Sequence, residues 1–134
     1  MASLGIAARA AATDAGVRAD PFLAQTLAEL IGSIGGAPRP SPFVTLEAPD
    51  VAADGGFVPI TVSSALPGTR ELLLLVERNP QPLALRIEVS AGTEAFVATR
   101  IRMAASGMVL AAVRTDDGLF GASRTVEVSV GGCG

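Results

Sequence analysis

Leu83, Leu85, Ile87 and Val89 alternate with Ala84, Arg86, Glu88 and Ser90. This period of two belongs to a strand with one face in a core and the other in water. Comparable short runs follow one another from Phe43 onward, each closed by a turn signal. Phe43 to Ala48 alternates through Val44 and Leu46. Asp54-Gly55-Gly56 leads into Phe57 to Ser64, where Pro59 points to an edge or a bulge. Pro67-Gly68 precedes a strand over Glu71 to Arg78, which Asn79-Pro80-Gln81-Pro82 ends. Beyond Ala91-Gly92, Ser106-Gly107 and Asp116-Asp117-Gly118 come strands over Glu94 to Arg102, Met108 to Thr115 and about Ser123 to Val130. Seven strands at short, even spacing predict a mainly β chain folded as an immunoglobulin-like antiparallel sandwich.

Two of these strands break the alternation. Leu72 to Val76 and Met108 to Val113 are continuous apolar runs. A sandwich strand ordinarily shows one face to water, so apolar residues on both faces predict a further layer over the outer one. Two candidates exist for that layer, the amino-terminal helix and a partner protein. On the second, the candidate partner interface is Leu72, Leu73, Leu74, Leu75, Val76, Met108, Val109 and Leu110.

The helix itself is read from Asp20-Pro21 to Gly32. Asp20 suits the N-cap, Pro21 the first helical position and Gly32 the exit. Leu23, Leu27, Leu30, Ile31 and Ile34 form its apolar stripe. Gly35 to Pro42 is rich in proline and glycine and reads as a linker. The predicted organisation is therefore a helical lead and linker over 1–42, a sandwich over 43–130 and a short arm over 131–134.

Composition narrows the function. The chain has 134 residues, enough for one domain with a real core. Only 17% of residues are charged and the net charge is −3, which gives nucleic acid and anionic membranes no basic surface to bind. No apolar run approaches the roughly 20 residues of a membrane span. With no histidine and one cysteine, the imidazole-assisted hydrolases, a thiol/imidazole zinc site and an internal disulfide are all excluded. The first sixteen residues are rich in alanine, but Gly5 and Arg9 break the apolar run and no basic region precedes it, so they do not read as an export signal.

The one cysteine stands in Val130-Gly131-Gly132-Cys133-Gly134. So placed, Cys133 is not a core residue, and the glycines before it leave the backbone torsions almost unrestricted. The segment reads as a flexible arm, Gly131, Gly132 and Gly134, presenting a thiol to something outside the protein. Four extended residues reach about 13–14 Å, enough to lower a thiol into a cleft. A free cysteine has a pKa near 8.5, so about a few per cent is thiolate at neutral pH. Arg124 is the nearest basic residue in sequence. The arm does not activate itself, and the electrophile, metal or base belongs to a visiting enzyme. The competing reading is a structural sandwich subunit cross-linked through an intermolecular Cys133 disulfide; a peroxidase using Cys133 ranks below both.

Other residues read more plainly. Arg100 and Arg102 share a strand face and are expected as a solvated face with ordinary ion pairs. Asp116-Asp117-Gly118 is first of all a turn. Met103 and Met108 are expected to fill core or interface.

The ending Gly131-Gly132-Cys133-Gly134 is preceded by an ordered series. It comprises Glu47-Ala48-Pro49 with Asp54-Gly55, Val58-Pro59-Ile60-Thr61-Val62, the turn Glu77-Arg78-Asn79-Pro80-Gln81-Pro82, Thr99-Arg100-Ile101-Arg102-Met103-Ala104, and Asp117-Gly118. On these residues the chain, from about Leu46 to Gly134, resembles the SoxY family, the substrate carriers of bacterial thiosulfate oxidation. Family members commonly end with one more glycine. The resemblance implies an immunoglobulin-like sandwich in a heterodimer with a SoxZ-like subunit, and Cys133 as the covalent attachment point for sulfur intermediates. It implies three visiting enzymes: a SoxAX-type c-haem sulfurtransferase, a SoxB-type sulfate thiohydrolase and a SoxCD-type sulfur dehydrogenase. It further implies a periplasmic location, no cofactor on this chain and no catalysis by the chain alone.

Overall fold

A computed structural model of the protein describes residues 20–129. The strands are β1 (Arg39–Pro40), β2 (Val44–Glu47), β3 (Val51–Ala52), β4 (Val58–Ser64) and β5 (Glu71–Val76). They continue with β6 (Leu83–Glu88), β7 (Phe96–Ile101), β8 (Gly107–Thr115) and β9 (Gly118–Val128), and among the described residues one α-helix, α1 (Leu27–Ile34), precedes them. The larger sheet has the order β1-β9-β8-β5-β6, with β3 also paired to β9; the smaller has the order β2-β4-β7. The two sheets face each other as a β-sandwich, the immunoglobulin-like class that the turn spacing predicts.

The apolar run in β5 fills two cores at once. Leu72, Leu74 and Val76 point between the sheets, where they meet Val44, Leu46, Val58, Ile60, Val62, Val109 and Val113. Leu73 and Leu75 point the other way, onto Ala24, Leu30 and Ile34 of the amino-terminal segment, with Leu83 and Ala112 beside them. The outer layer is therefore supplied by the chain's own helix. This corrects the partner-interface reading: Leu72, Leu73, Leu74, Leu75, Val76 and Val109 are all at most 2% exposed and are closed off by this chain. Met108 and Leu110 remain half-buried, Leu110 packed against the cluster under the helix.

The helix is shorter and later than its expected start. Asp20 does cap, but it caps a 3-10 turn over Pro21–Leu23, accepting from the Phe22 amide at 2.9 Å. The helix proper starts behind Thr26, whose hydroxyl accepts from the Glu29 amide, while the Glu29 carboxylate accepts from the Gln25 amide. These reciprocal bonds resemble a capping box and outcompete the earlier start. Gly32 lies inside the helix; Gly35, at φ 108°, makes the left-handed exit.

The Gly35–Pro42 stretch, expected as a linker, is built into the fold. It carries β1, which runs parallel to β9 with Arg39 opposite Phe120. A side chain at Gly121 would meet the Ala111 carbonyl at 2.6 Å and Pro38 at 3.0 Å, so glycine there lets this segment lie close. The β9 strand also begins at Gly118 instead of Ser123, because Thr115 pairs directly with Gly118 across the two-residue turn Asp116-Asp117. Pro59 sits where β4 has run past β2, whose pairing stops at Thr61, so its missing N–H faces no partner strand on that side.

A polar clamp fixes the helix to the sheet. Glu71 is buried, and its carboxylate accepts from Arg86 Nε at 2.6 Å and Arg114 Nε at 3.0 Å. Arg114 also donates to the carbonyl of Ile34, the last residue of α1, at 2.7 Å. A cation thus satisfies an orphan carbonyl at the negative end of the helix. Burial pushes the Glu71 carboxyl up, but the hydrogen bonds from Arg86 and Arg114 outweigh it and hold the group below its ordinary 4.5. A carboxyl depressed on folding stabilises above its unfolded pKa, and that contribution is lost as pH falls through the folded value. Melting temperature is accordingly expected to fall on acidification below about 4.5, the ordinary carboxyl range. The acid-dependent part of the fall shrinks in Glu71→Gln; an unchanged acid slope in that variant would remove Glu71 from the account.

Candidate functional site

β9 is the strand that leads towards Cys133. Its first part is held in a long antiparallel ladder with β8, from Gly118 opposite Thr115 to Val126 opposite Gly107. Where β8 gives out, two other segments take over. On one side β3 runs parallel to it, with Val51 opposite Glu127 and Ala52 opposite Val128. Here the Glu127 amide donates to the Asp50 carbonyl and the Ser129 amide to the Ala52 carbonyl, each at 2.9 Å. On the other side the Ser106 hydroxyl accepts from the Val128 amide at 2.7 Å, extending the ladder beyond β8 with a side chain. The chain is thus tied as far as Ser129 on one flank and as far as Val128 on the other.

Gly55 makes the closest approach at this anchor. A Cβ there would stand 2.7 Å from the Met103 carbonyl oxygen and 2.9 Å from Val128 Cγ1, and the Met103 amide donates to the Gly55 carbonyl at 2.7 Å. The backbone carbonyl cannot yield as a flexible side chain would. Gly55→Ala is expected to cost about 1–3 kcal/mol in chemical denaturation and to speed amide exchange at Val128 and Ser129. Unchanged stability with unchanged exchange would show that the contact is dispensable.

Asn79 organises the neighbouring loop. Its side-chain amide donates to the Arg102 carbonyl at 2.6 Å, and its carbonyl oxygen accepts from the Ala104 amide at 2.8 Å. This braces the 102–106 loop that carries Ser106. Sequence reasoning treats Asn79 and Ser106 only as turn residues; their hydrogen-bond partners lie 23 to 25 and 22 residues away, which no local pattern indicates.

Arg100 and Arg102 line a cleft of about 410 Å³ at the open edge between β6 and β7, together with Asn79, Gln81 and Leu83. Both guanidinium groups are exposed, and among the described residues neither makes an ion pair, unlike the expected paired face. Asp116 lies in the expected turn and meets Arg70 at 3.4 Å on the surface, while the Asp117 amide donates to the Thr115 hydroxyl. Met103 is core, 3% exposed. Gly131, Gly132, Cys133 and Gly134 lie outside the described residues.

The family model for "Sulfur oxidation protein SoxY" matches residues 28–133, most of the chain, and the matched span ends on Cys133. The chain belongs to the SoxY family. In fold it is similar to the sulfur carrier protein SoxY from Chlorobium limicola f thiosulfatophilum, with 27% identity and a TM-score of 0.69 over 78% of this chain and 97% of that one. It is also similar to superoxide reductase in the oxidized state, with 19% identity and a TM-score of 0.53 over 66% of this chain and 95% of that one. That second likeness concerns the sandwich alone. No curated protein matches the chain.

Proposed function

We propose that this SoxY-family protein is a covalent sulfur carrier, with Cys133 as the attachment point and Gly131-Gly132 as its swivel. The observation that carries the reading is the family match running through to Cys133, the sole cysteine, together with the likeness to a sulfur carrier from Chlorobium. The doubly anchored end of β9 supports it, since a swinging arm needs a fixed base.

The chemistry is then divided between carrier and visitors. A SoxAX-type haem enzyme joins the Cys133 thiol to the sulfane sulfur of thiosulfate. The thiol proton and two electrons leave, the electrons to the haem, and a cysteine S-thiosulfonate remains. A SoxB-type thiohydrolase adds water across the terminal S–S bond, releasing sulfate and a proton and leaving a persulfide. A SoxCD-type dehydrogenase oxidises the outer persulfide sulfur to a sulfonate with three waters, passing on six electrons and seven protons. A second hydrolysis restores the thiol. The visitors also supply the base that the thiol lacks. The carrier is non-catalytic, works as a heterodimer with a SoxZ-like subunit, and operates in the periplasm.

The test is incubation of the full chain with a SoxAX-type enzyme, an electron acceptor and thiosulfate labelled in its sulfane sulfur. Label is expected on the chain at up to one sulfur per cysteine, released by reductant. Label that never joins the chain, while thiosulfate is still consumed, would contradict the carrier role.

A further inference from the structure

Large apolar side chains are exposed at both ends of the sandwich. At one end stand Phe43 and Phe96, 58% and 54% exposed, just before β2 and at the start of β7. At the other, in the loop that anchors β9, stand Val51 and Phe57, 60% and 66% exposed. The second pair sits among exposed carboxylates, Asp50, Asp54 and Glu127. The stretches 48–57 and 125–129 contain no basic residue at all.

We propose that Asp50, Val51, Asp54, Phe57 and Glu127 form a docking collar around the exit of β9, on which an enzyme acting on Cys133 seats the mouth of its cleft through basic and apolar side chains. The inference rests on the carrier reading. Its geometric ground is reach. Cys133 stands four residues beyond Ser129, which is fixed to Ala52 through its amide, so the Cys133 Cα lies at most about 13–14 Å from that anchor and the thiol only a side chain further. An enzyme that takes the thiol into a concave site must therefore bring its rim down on the surface around Ser129. The opposite end is out of range, because β4 runs for seven residues from the collar end at Val58 to Ser64, roughly 20 Å.

The collar is also suited to transient contact. Two exposed apolar groups inside a charged rim give modest burial, and the carboxylates steer a basic mouth towards the arm at a salt-dependent rate. Asp54 is held in place, its Oδ1 accepting from the Gly56 amide at 2.8 Å.

The experiment compares the parent chain, Val51→Ser/Phe57→Ala, Asp50→Asn/Asp54→Asn/Glu127→Gln, and Phe96→Ala at the far end as control. The amide replacements keep shape, including the Asp54 acceptor. Two rates are measured for each: loading of thiosulfate by the SoxAX-type enzyme, and reaction of Cys133 with a small aromatic disulfide. Both collar variants are expected to load about tenfold more slowly, with the small-reagent rate and the Phe96→Ala control unchanged, and the neutralised variant to lose most of its salt dependence. Loading within twofold of the parent would overturn the collar while leaving the carrier reading intact. Collar substitutions that detach a permanently bound second subunit would overturn it as well, making this surface that subunit's seat. A parent chain that is never loaded would overturn the carrier reading and the collar with it.

Discussion

Cys133→Ser is expected to abolish thiosulfate-dependent electron release in a reconstituted system, down to the level without carrier. A hydroxyl at that position leaves the arm's reach unchanged but cannot form the S–S bond that holds the intermediate. No second cysteine exists to take over. The same variant should unfold within about 0.5 kcal/mol of the parent, which is what the proposed arm role requires. Measured together, rate and stability separate an attachment role from a structural one. A variant that retains activity, or that unfolds the sandwich, would contradict the proposed division between arm and body.

Leu74→Ala is expected to be the most destabilising of the simple truncations, at about 3–5 kcal/mol. Leu74 is fully buried in β5, an inner strand of the larger sheet, between Leu85 of β6 and Ala111 of β8. Its side chain points between two sheets, and neither can close the gap without breaking register. Against a total stability of about 5–15 kcal/mol, such a loss unfolds much of the population on warming. Leu75→Ala removes the same atoms from the helix side, where α1 can settle towards the sheet, and should cost less. Equal costs would mean that the helix is held as rigidly as the second sheet. A Leu74→Ala cost below about 1 kcal/mol would contradict the two-core arrangement. Urea denaturation with an unchanged slope is the appropriate reading of either variant.

The strands were legible because their evidence is local. Alternation in Leu83 to Val89 and the turn pairs Asp54-Gly55, Pro67-Gly68 and Asp116-Asp117 mark the main strands of both sheets. The short strands β1 and β3 were not, since each is two residues long and exists only because β9 offers a free edge far along the chain. The covering layer was half legible. Apolar residues on both faces of β5 require something on each side, but the pattern is the same whether the cover is a helix of this chain or another protein. The Glu71–Arg114–Ile34 link that decides it joins residues far apart in sequence, through charges that look like ordinary surface groups. Around the site, Cys133 was conspicuous from composition alone. The anchor at the end of β9, formed by Ser106, Gly55 and Asn79, was hidden because each of those residues is also a common turn former.

The central claim is that Cys133 carries sulfur, and intact-mass analysis of the chain isolated from cells oxidising thiosulfate tests it most directly, before and after reductant and again on the carboxyl-terminal peptide. The account predicts a mixture of masses heavier than the bare chain by sulfane sulfur or thiosulfonate, confined to the peptide holding Cys133 and removed by reductant. A bare thiol throughout turnover, or only a symmetric disulfide dimer, would contradict it.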